Sequence, residues 1–301
     1  MTKLVECAIN LSEGRREHVI QEIVDVAWAV PGVALDVSTD AAHNRTVLCL
    51  IGPLEAVARA AYDVSAAAVR LIDMNQHAGE HPRFGAVDVV PFVPLGETTM
   101  AEAMEVAHAL GQRLGDELAL PVYFYEAAAM RPERRNLADV RRGEYEGLAA
   151  KMRDPDWTPD CGPRQPHPTA GAVAVGARIF LVAYNVNLGT SDVKIAKAIA
   201  RAVRAKTGGL AFIKALGVLV EGDDGRQIAQ VTMNVTDPFR TPLYRVFELV
   251  RLEAERYGVP VVGSELVGLV PLEVLLDAAR YYLRLEAFAT EQVLETRLWE
   301  P

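Results

Sequence analysis

The chain has 301 residues, half of them hydrophobic, with 31 basic and 40 acidic side chains and a formal net charge of −9. That length fits two domains with a sizeable core, and the acidic balance excludes the basic surface by which a nucleic-acid binder is recognised. Three cysteines (Cys7, Cys49, Cys161) without a C-x-x-C pair imply no disulfide framework, and neither a signal-peptide core nor an apolar run of membrane-spanning length is found, so a cytoplasmic protein without membrane attachment is expected.

In chain order, strand and helix signals alternate. Residues 4–9 read as a strand, 10–14 as a turn, and 18–30 as a helix, with Val19, Ile20, Ile23, Val24 and Ala27 at helical spacing. Residues 33–37 and 45–51 read as strands. Gly52-Pro53 opens a helix reaching Ile72, with proline at its first position. After a loop over 73–85, the apolar run 87–93 predicts a buried strand. Thr99-Met100-Ala101-Glu102 has capping-box spacing and starts a helix to Leu118. Residues 122–125 are a further strand. Residues 130–168 read as irregular, with one short helix over 145–152, and 161–170 as a proline-rich connector.

The second half repeats this order: strand 178–186, helix 192–204, strands 216–219 and 228–235, a helix opened by Thr241-Pro242 and running to Tyr257, strand 259–262, and helix 272–285. Both halves begin with a strand that ends in Asn-Leu, at Asn10-Leu11 and Asn187-Leu188. The expectation is an α/β (α+β) protein of two subdomains, 1–176 and 177–301, each in the split β-α-β order of ferredoxin-like folds. Ligands of two-lobed proteins often bind where the lobes meet.

The densest polar cluster is His77-Ala78-Gly79-Glu80-His81-Pro82-Arg83. As a string it matches H-x-x-E-H, an inverted zinc-protease motif that needs both histidines on one helical face. Gly79 and Pro82 undermine that helix, proline disfavours helical backbone at His81, and no third ligand is evident. The other reading is a rigid loop presenting one imidazole, whose pKa suits proton transfer near neutral pH. Its alternative is a His81 that only hydrogen-bonds its own loop. Arg83 is either an anchor for a substrate carboxylate or the ion-pair partner of Glu80. Asp40, His43, Asn44 and Arg45 read as turn caps. The 10–14 segment reads as an N-cap or an anion site. Gly208-Gly209 lacks the rest of a P-loop. Tyr123, Phe124, Tyr125, Phe180 and Tyr184 read as core.

Several stretches resemble the glutamate formiminotransferase family. They are Leu4-Val5-Glu6-Cys7 with Asn10 through Gly14, Asn44-Arg45-Thr46-Val47, Leu71-Ile72-Asp73-Met74, and Gly79 through Arg83 with Gly85-Ala86-Val87-Asp88. Arg142-Gly143-Glu144-Tyr145-Glu146, Asp156-Trp157 with Pro159-Asp160, Gly176-Ala177-Arg178 with Asn185 through Leu188, and the run Pro260 through Pro271 continue the match over nearly the whole chain. The resemblance implies transfer of a formimidoyl group from N-formimidoyl-L-glutamate to N5 of tetrahydrofolate, without a metal, in histidine degradation. It places the catalytic histidine at His81 and a folate-contacting loop at Gly162, Pro163, Arg164, Gln165, Pro166, His167, Pro168, Thr169, Ala170 and Gly171. It further implies facing β-sheets with helices outside, a tunnel of positive potential for a polyglutamylated tail, and a homodimer.

There are two departures. Vertebrate members carry a fused cyclodeaminase domain, which is not expected here, and they have an acidic residue where Ser38 stands, with Asp40 as its nearest replacement. Two alternatives stay open: a one-carbon enzyme acting on formylglutamate or 5-formyltetrahydrofolate, and a non-catalytic folate-binding protein.

Overall fold

The computed structural model describes residues 3–79, 82–222 and 225–299. The chain divides into two units, Met1–Ile179 and Phe180–Pro301.

The first unit is built from β1 (Leu4–Leu11), α1 (Glu17–Trp28), β2 (Ala34–Asp40), β3 (Arg45–Pro53), α2 (Leu54–Leu71), β4 (Val87–Leu95), α3 (Met100–Leu118), β5 (Val122–Glu126), α4 (Leu137–Val140), α5 (Glu144–Lys151) and β6 (Val173–Ala177). Its sheet runs β2-β3-β1-β4-β6-β5. The first four strands pair antiparallel, and β6 lies between β4 and β5, parallel to both. Alternation along β1 sends Val5, Cys7, Ile9 and Leu11 into one core with Val19, Ile23 and Ala27 of α1 and Val57, Ala61 and Val64 of α2. Each large apolar side chain buried this way contributes roughly 1.5–3 kcal/mol. On the opposite face, Val89, Tyr123, Tyr125 and Ala174 pack with Phe84 under Val140, Leu148 and Met152.

The second unit holds β7 (Val182–Leu188), α6 (Val193–Val203), β8 (Ile213–Glu221), β9 (Gln227–Val235), α7 (Leu243–Glu255), β10 (Val261–Val267), α8 (Leu272–Leu283) and α9 (Leu294–Trp299). Its sheet runs β10-β7-β9-β8. Val186, Ile199, Val231, Val246 and Val250 are fully buried in its core. The order β4-β1-β3-β2 of the first unit and β10-β7-β9-β8 of the second are the same split β-α-β arrangement, so the ferredoxin-like order holds in both.

Several details depart from the sequence reading. Asn10 and Leu11 continue β1 instead of turning. The second unit's first strand begins at Val182, not at 178. Pro53 and Pro242 occupy N-cap positions rather than first helical turns, and the Thr241 hydroxyl donates to the Ala211 carbonyl instead of capping α7. β6 has no counterpart in the reading. Its sequence, Val-Ala-Val-Gly-Ala, is short, and three of its five residues are Ala or Gly. It is nonetheless fully buried, and Gly176 makes room for the Tyr125 ring, which a Cβ would approach to 2.5 Å. The Thr99 capping box stands as read, with both reciprocal bonds present.

Candidate active site

The connection between α2 and β4, residues 72–86, carries the cluster singled out in the sequence. Glu80 and His81 lie outside the described residues; their flanks do not. Upstream, Gly79 is pressed so close to the turn after β2 that a Cβ there would sit 2.4 Å from the His43 carbonyl. Downstream, a Cβ on Gly85 would sit 1.8 Å from the Ala172 carbonyl. Only glycine fits either approach. The Phe84 N–H donates to Asp88 at 3.0 Å. Burial pushes the Asp88 carboxyl up, while its ion pair with Arg141 and the Phe84 N–H pull it back.

Arg83 is buried, and each of its N–H groups has an acceptor. Nε donates to His77 Nδ1 at 3.2 Å. Nη1 donates to Glu144 at 3.2 Å and Glu146 at 2.9 Å. Nη2 donates to Glu146 at 2.7 Å and the His77 carbonyl at 3.5 Å. Its hydrogen bond to Glu146 raises the guanidinium pKa and lowers that of Glu146. Arg83 therefore fastens the loop to α5, and no donor is left for a substrate carboxylate. His77 Nε2 donates to the Asn44 carbonyl at 2.9 Å, so both ring nitrogens are engaged within the protein and neither lone pair is open to a metal. Among the described residues, no three metal-ligating side chains converge.

Asn44 joins three segments. Its backbone is left-handed, with φ 49°. Its Oδ1 accepts from Gly14 N–H at 2.8 Å, and its Nδ2 donates to the Ala78 carbonyl at 3.1 Å. Asp40 takes both the backbone N–H of His43 at 2.9 Å and its ring Nδ1 at 2.6 Å. Burial works against the Asp40 carboxylate, but these two bonds hold it below the usual range. The turn-cap reading thus fits Asp40 and Asn44.

The 10–14 segment does not cap α1 through Ser12. Ser12 Oγ donates to the Gly85 carbonyl at 2.7 Å, and its N–H to Ala86 at 3.0 Å. Glu13 instead accepts from the N–H groups of Arg15 and Arg16, both at 2.9 Å. Asn10, Ser12, His43, Asn44, Arg45 and His77, with Arg83 and Asp88, surround one closely packed polar centre. Burial lowers the Arg45 pKa there, while Asp40 and Asp88 oppose the shift.

The segment 162–171 meets this loop by its second half. Gly162, Pro163, Arg164 and Gln165 are exposed. His167 closes a small hairpin: its N–H and carbonyl pair with Gly171, and its Nδ1 accepts the Ala170 N–H at 3.0 Å. Burial lowers its pKa. The Met74 N–H donates to Thr169 at 2.7 Å, Asn75 Nδ2 to Pro168 at 2.9 Å, and Ala86 N–H to Ala170 at 2.9 Å. Gly85 and Gly171 form a β-bridge. The base of this segment is rooted by Arg134, which is wholly buried. Arg134 pairs with Asp160 at 2.5 Å and donates to the carbonyls of Asp156 and Thr158. Sequence reasoning missed Ser12, Asp88, Arg134, Arg141, Glu144 and Glu146 as site supports. The one signal for Ser12, Asp88, Glu144 and Glu146 was membership in the family-like stretches; Arg134 and Arg141 fall outside those stretches and had none.

Residues 4–178 match the family model for the N-terminal subdomain of the formiminotransferase domain, and residues 183–297 match that for the formiminotransferase domain. The chain is 48% identical over 300 residues to a glutamate formimidoyltransferase of Streptococcus pyogenes serotype M1, covering 99% of both chains. It is 47% identical to the glutamate formimidoyltransferase of Thermoplasma acidophilum, over 98% of this chain and 97% of that one. To the formimidoyltransferase-cyclodeaminase of Mus musculus it is 43% identical over 99% of this chain, which spans 56% of that longer protein.

Proposed function

Since the chain belongs to the formiminotransferase family, we infer that it transfers the formimidoyl group from N-formimidoyl-L-glutamate to N5 of tetrahydrofolate, yielding L-glutamate and 5-formimidoyltetrahydrofolate in histidine degradation. The observation that carries this reading is the 48% identity to a stand-alone glutamate formimidoyltransferase over 99% of both chains. Purified protein, formimidoylglutamate and tetrahydrofolate should give the 5-formimidoyl product; formation of product only from formylglutamate would overturn it.

The reaction forms a bond from N5 to the formimidoyl carbon and breaks the bond from that carbon to the glutamate nitrogen. N5 must lose a proton, and the leaving nitrogen must gain one. One group with a pKa near the working pH can do both in turn, worth roughly 10²–10⁴ in rate. We assign that role to His81. Support comes from its flanks: Gly79 and Gly85 are wedged against backbone carbonyls, and Arg83 is tied to Glu144, Glu146 and His77. In this reading Arg83 positions the loop and touches no substrate. Asp40, whose carboxylate is held by His43, shapes the same turn, and Glu80 stays a candidate partner for His81. The exposed residues 162–165 are assigned to folate contact, and 166–171 to fixing them beside the histidine loop. The chemistry requires proton transfer and positioning alone, so no metal is invoked.

The quaternary state is proposed as a homodimer. Leu272, Leu275 and Leu283 recur on one outward side of α8 at 38%, 41% and 68% exposure, a stripe suited to a second copy. Sedimentation should give twice the 32.8 kDa chain mass. No helix among the described residues is long and apolar enough to cross a membrane. The proposed compartment is the cytoplasm.

A further inference from the structure

Tyr145 stands where three segments of the candidate site meet. The chain enters α5 through two consecutive left-handed residues, Gly143 at φ 90° and Glu144 at φ 53°. Left-handed backbone is strained at a glutamate, and such strain persists where surrounding contacts impose it. Tyr145 makes three such contacts. Its N–H donates to the Arg83 carbonyl at 2.9 Å, and its hydroxyl donates to Asn75 Oδ1 at 2.9 Å. Arg83 follows His81 in the chain and Asn75 precedes it, so one residue of α5 holds both limbs of the histidine loop. The Tyr145 ring lies against the 162–171 segment, with Cδ2 3.0 Å from where a Cβ on Gly171 would stand.

Asn75 carries the contact onward. Its Nδ2 donates to the Pro168 carbonyl at 2.9 Å and to Asp73 at 2.8 Å, while its Oδ1 accepts from Tyr145. The amide is thus engaged on both its nitrogen and its oxygen, although Asn75 is exposed. Hydrogen bonds at an exposed site replace bonds to water and add little stability. What they fix is geometry. We propose that Tyr145, acting through Asn75, is a positioning residue for the transfer step, setting the histidine loop and the 162–171 segment at one spacing. This rests on the formimidoyl-transfer reading, in which His81 moves the proton and residues 162–165 contact the folate. The other ties between the two segments, from Met74 N–H to Thr169 and from Ala86 N–H to Ala170, join backbone to backbone at buried residues. Tyr145 and Asn75 supply the side-chain tie on the exposed side. A small error in the placement of reacting groups costs rate far more than it costs binding or stability.

The test is steady-state kinetics with formimidoylglutamate and tetrahydrofolate on the wild type, Tyr145→Phe, Asn75→Ala and the double variant, with Tm measured on each. Tyr145→Phe keeps the ring and the N–H and loses only the hydroxyl. Its kcat should fall about fivefold, the factor typical of one neutral hydrogen bond, with both KM values and the Tm close to those of the wild type. Asn75→Ala loses the tie to Pro168 as well and should fall at least as far. The double variant should be no slower than Asn75→Ala, because the two side chains act through one bond. A wild-type kcat in Tyr145→Phe overturns the assignment, whether or not the Tm moves. So does a rise in KM without a fall in kcat, or a double variant whose loss is the product of the two single losses. Wild-type turnover separates this failure from failure of the functional reading. If the wild type turns over, only the role of Tyr145 falls; if it does not, both fall.

Discussion

Four strands of the first sheet follow the same order as the four of the second, yet the connections leading into their fourth strands differ. In the second unit, residues 256–260 cross from α7 to β10, and the Gly189 N–H after β7 clasps the Pro260 carbonyl at 2.8 Å. In the first unit, residues 72–86 cross from α2 to β4, and Ser12, after β1, clasps Gly85 and Ala86 at the corresponding place. The clasp is the same. What differs is the segment held above it, which carries His77, His81 and Arg83. The proposed chemistry thus belongs to one connection, above a four-strand order that both units share, and a set of variants can test that division.

The largest expected effect is His81→Ala, with kcat lower by about 10²–10⁴ and the fold intact by circular dichroism. Wild-type turnover would move the proton-transfer role elsewhere. Next is Arg134→Ala, which leaves Asp160 buried and unpaired. A loss of about 3–5 kcal/mol in denaturant unfolding is expected, with the 162–171 segment loosened. Gly79→Ala and Gly258→Ala form a matched pair. The first drives a Cβ to 2.4 Å from a backbone carbonyl and should cost about 1–3 kcal/mol, with a fall in kcat. The second meets nothing within 4 Å but holds φ +67°, so it should cost about 1–2 kcal/mol of backbone strain and leave kcat alone. Equal kinetic effects would erase the distinction between the two connections. Ser12→Ala removes one bond of the clasp and should cost about 1 kcal/mol.

The smallest effect concerns pH. Burial opposes the charge on Glu13, but the N–H groups of Arg16 and Arg15 and the Arg16 guanidinium hold its pKa below the ordinary 4.5. The stabilisation from a carboxylate lowered in the folded state is complete above that ordinary value and is lost as pH falls through the folded one. Glu13→Gln should flatten the acid limb of the stability curve; an unchanged limb would show that Glu13 contributes nothing to it.

Much of the frame was readable from periodicity, because strand and helix faces repeat locally. The Thr99 capping box and the Asp40–His43 turn were readable for the same reason: their partners lie three residues apart. β6 escaped, because burial in a parallel position leaves no alternation to see and Ala and Gly carry little strand signal. The partners of Arg83 escaped as well. Glu144 and Glu146 lie some sixty residues downstream, and proximity in the sequence pointed to Glu80 instead. Ser12 looked like a helix cap, since the choice between a local N–H and a distant carbonyl is decided only by tertiary contact.

The clasp between Ser12 and Gly85 has a consequence for how such an enzyme could be remodelled. A connection closed at its base behaves as a replaceable cassette. Making one roughly threefold longer costs only about 1 kcal/mol of closure entropy, no more than a single good hydrogen bond returns. The clasped ends mark where a graft should be cut: between α2 and Ala86 in one unit, and between α7 and Pro260 in the other. The second unit, with its short and unadorned connection, is an empty socket of the same gauge.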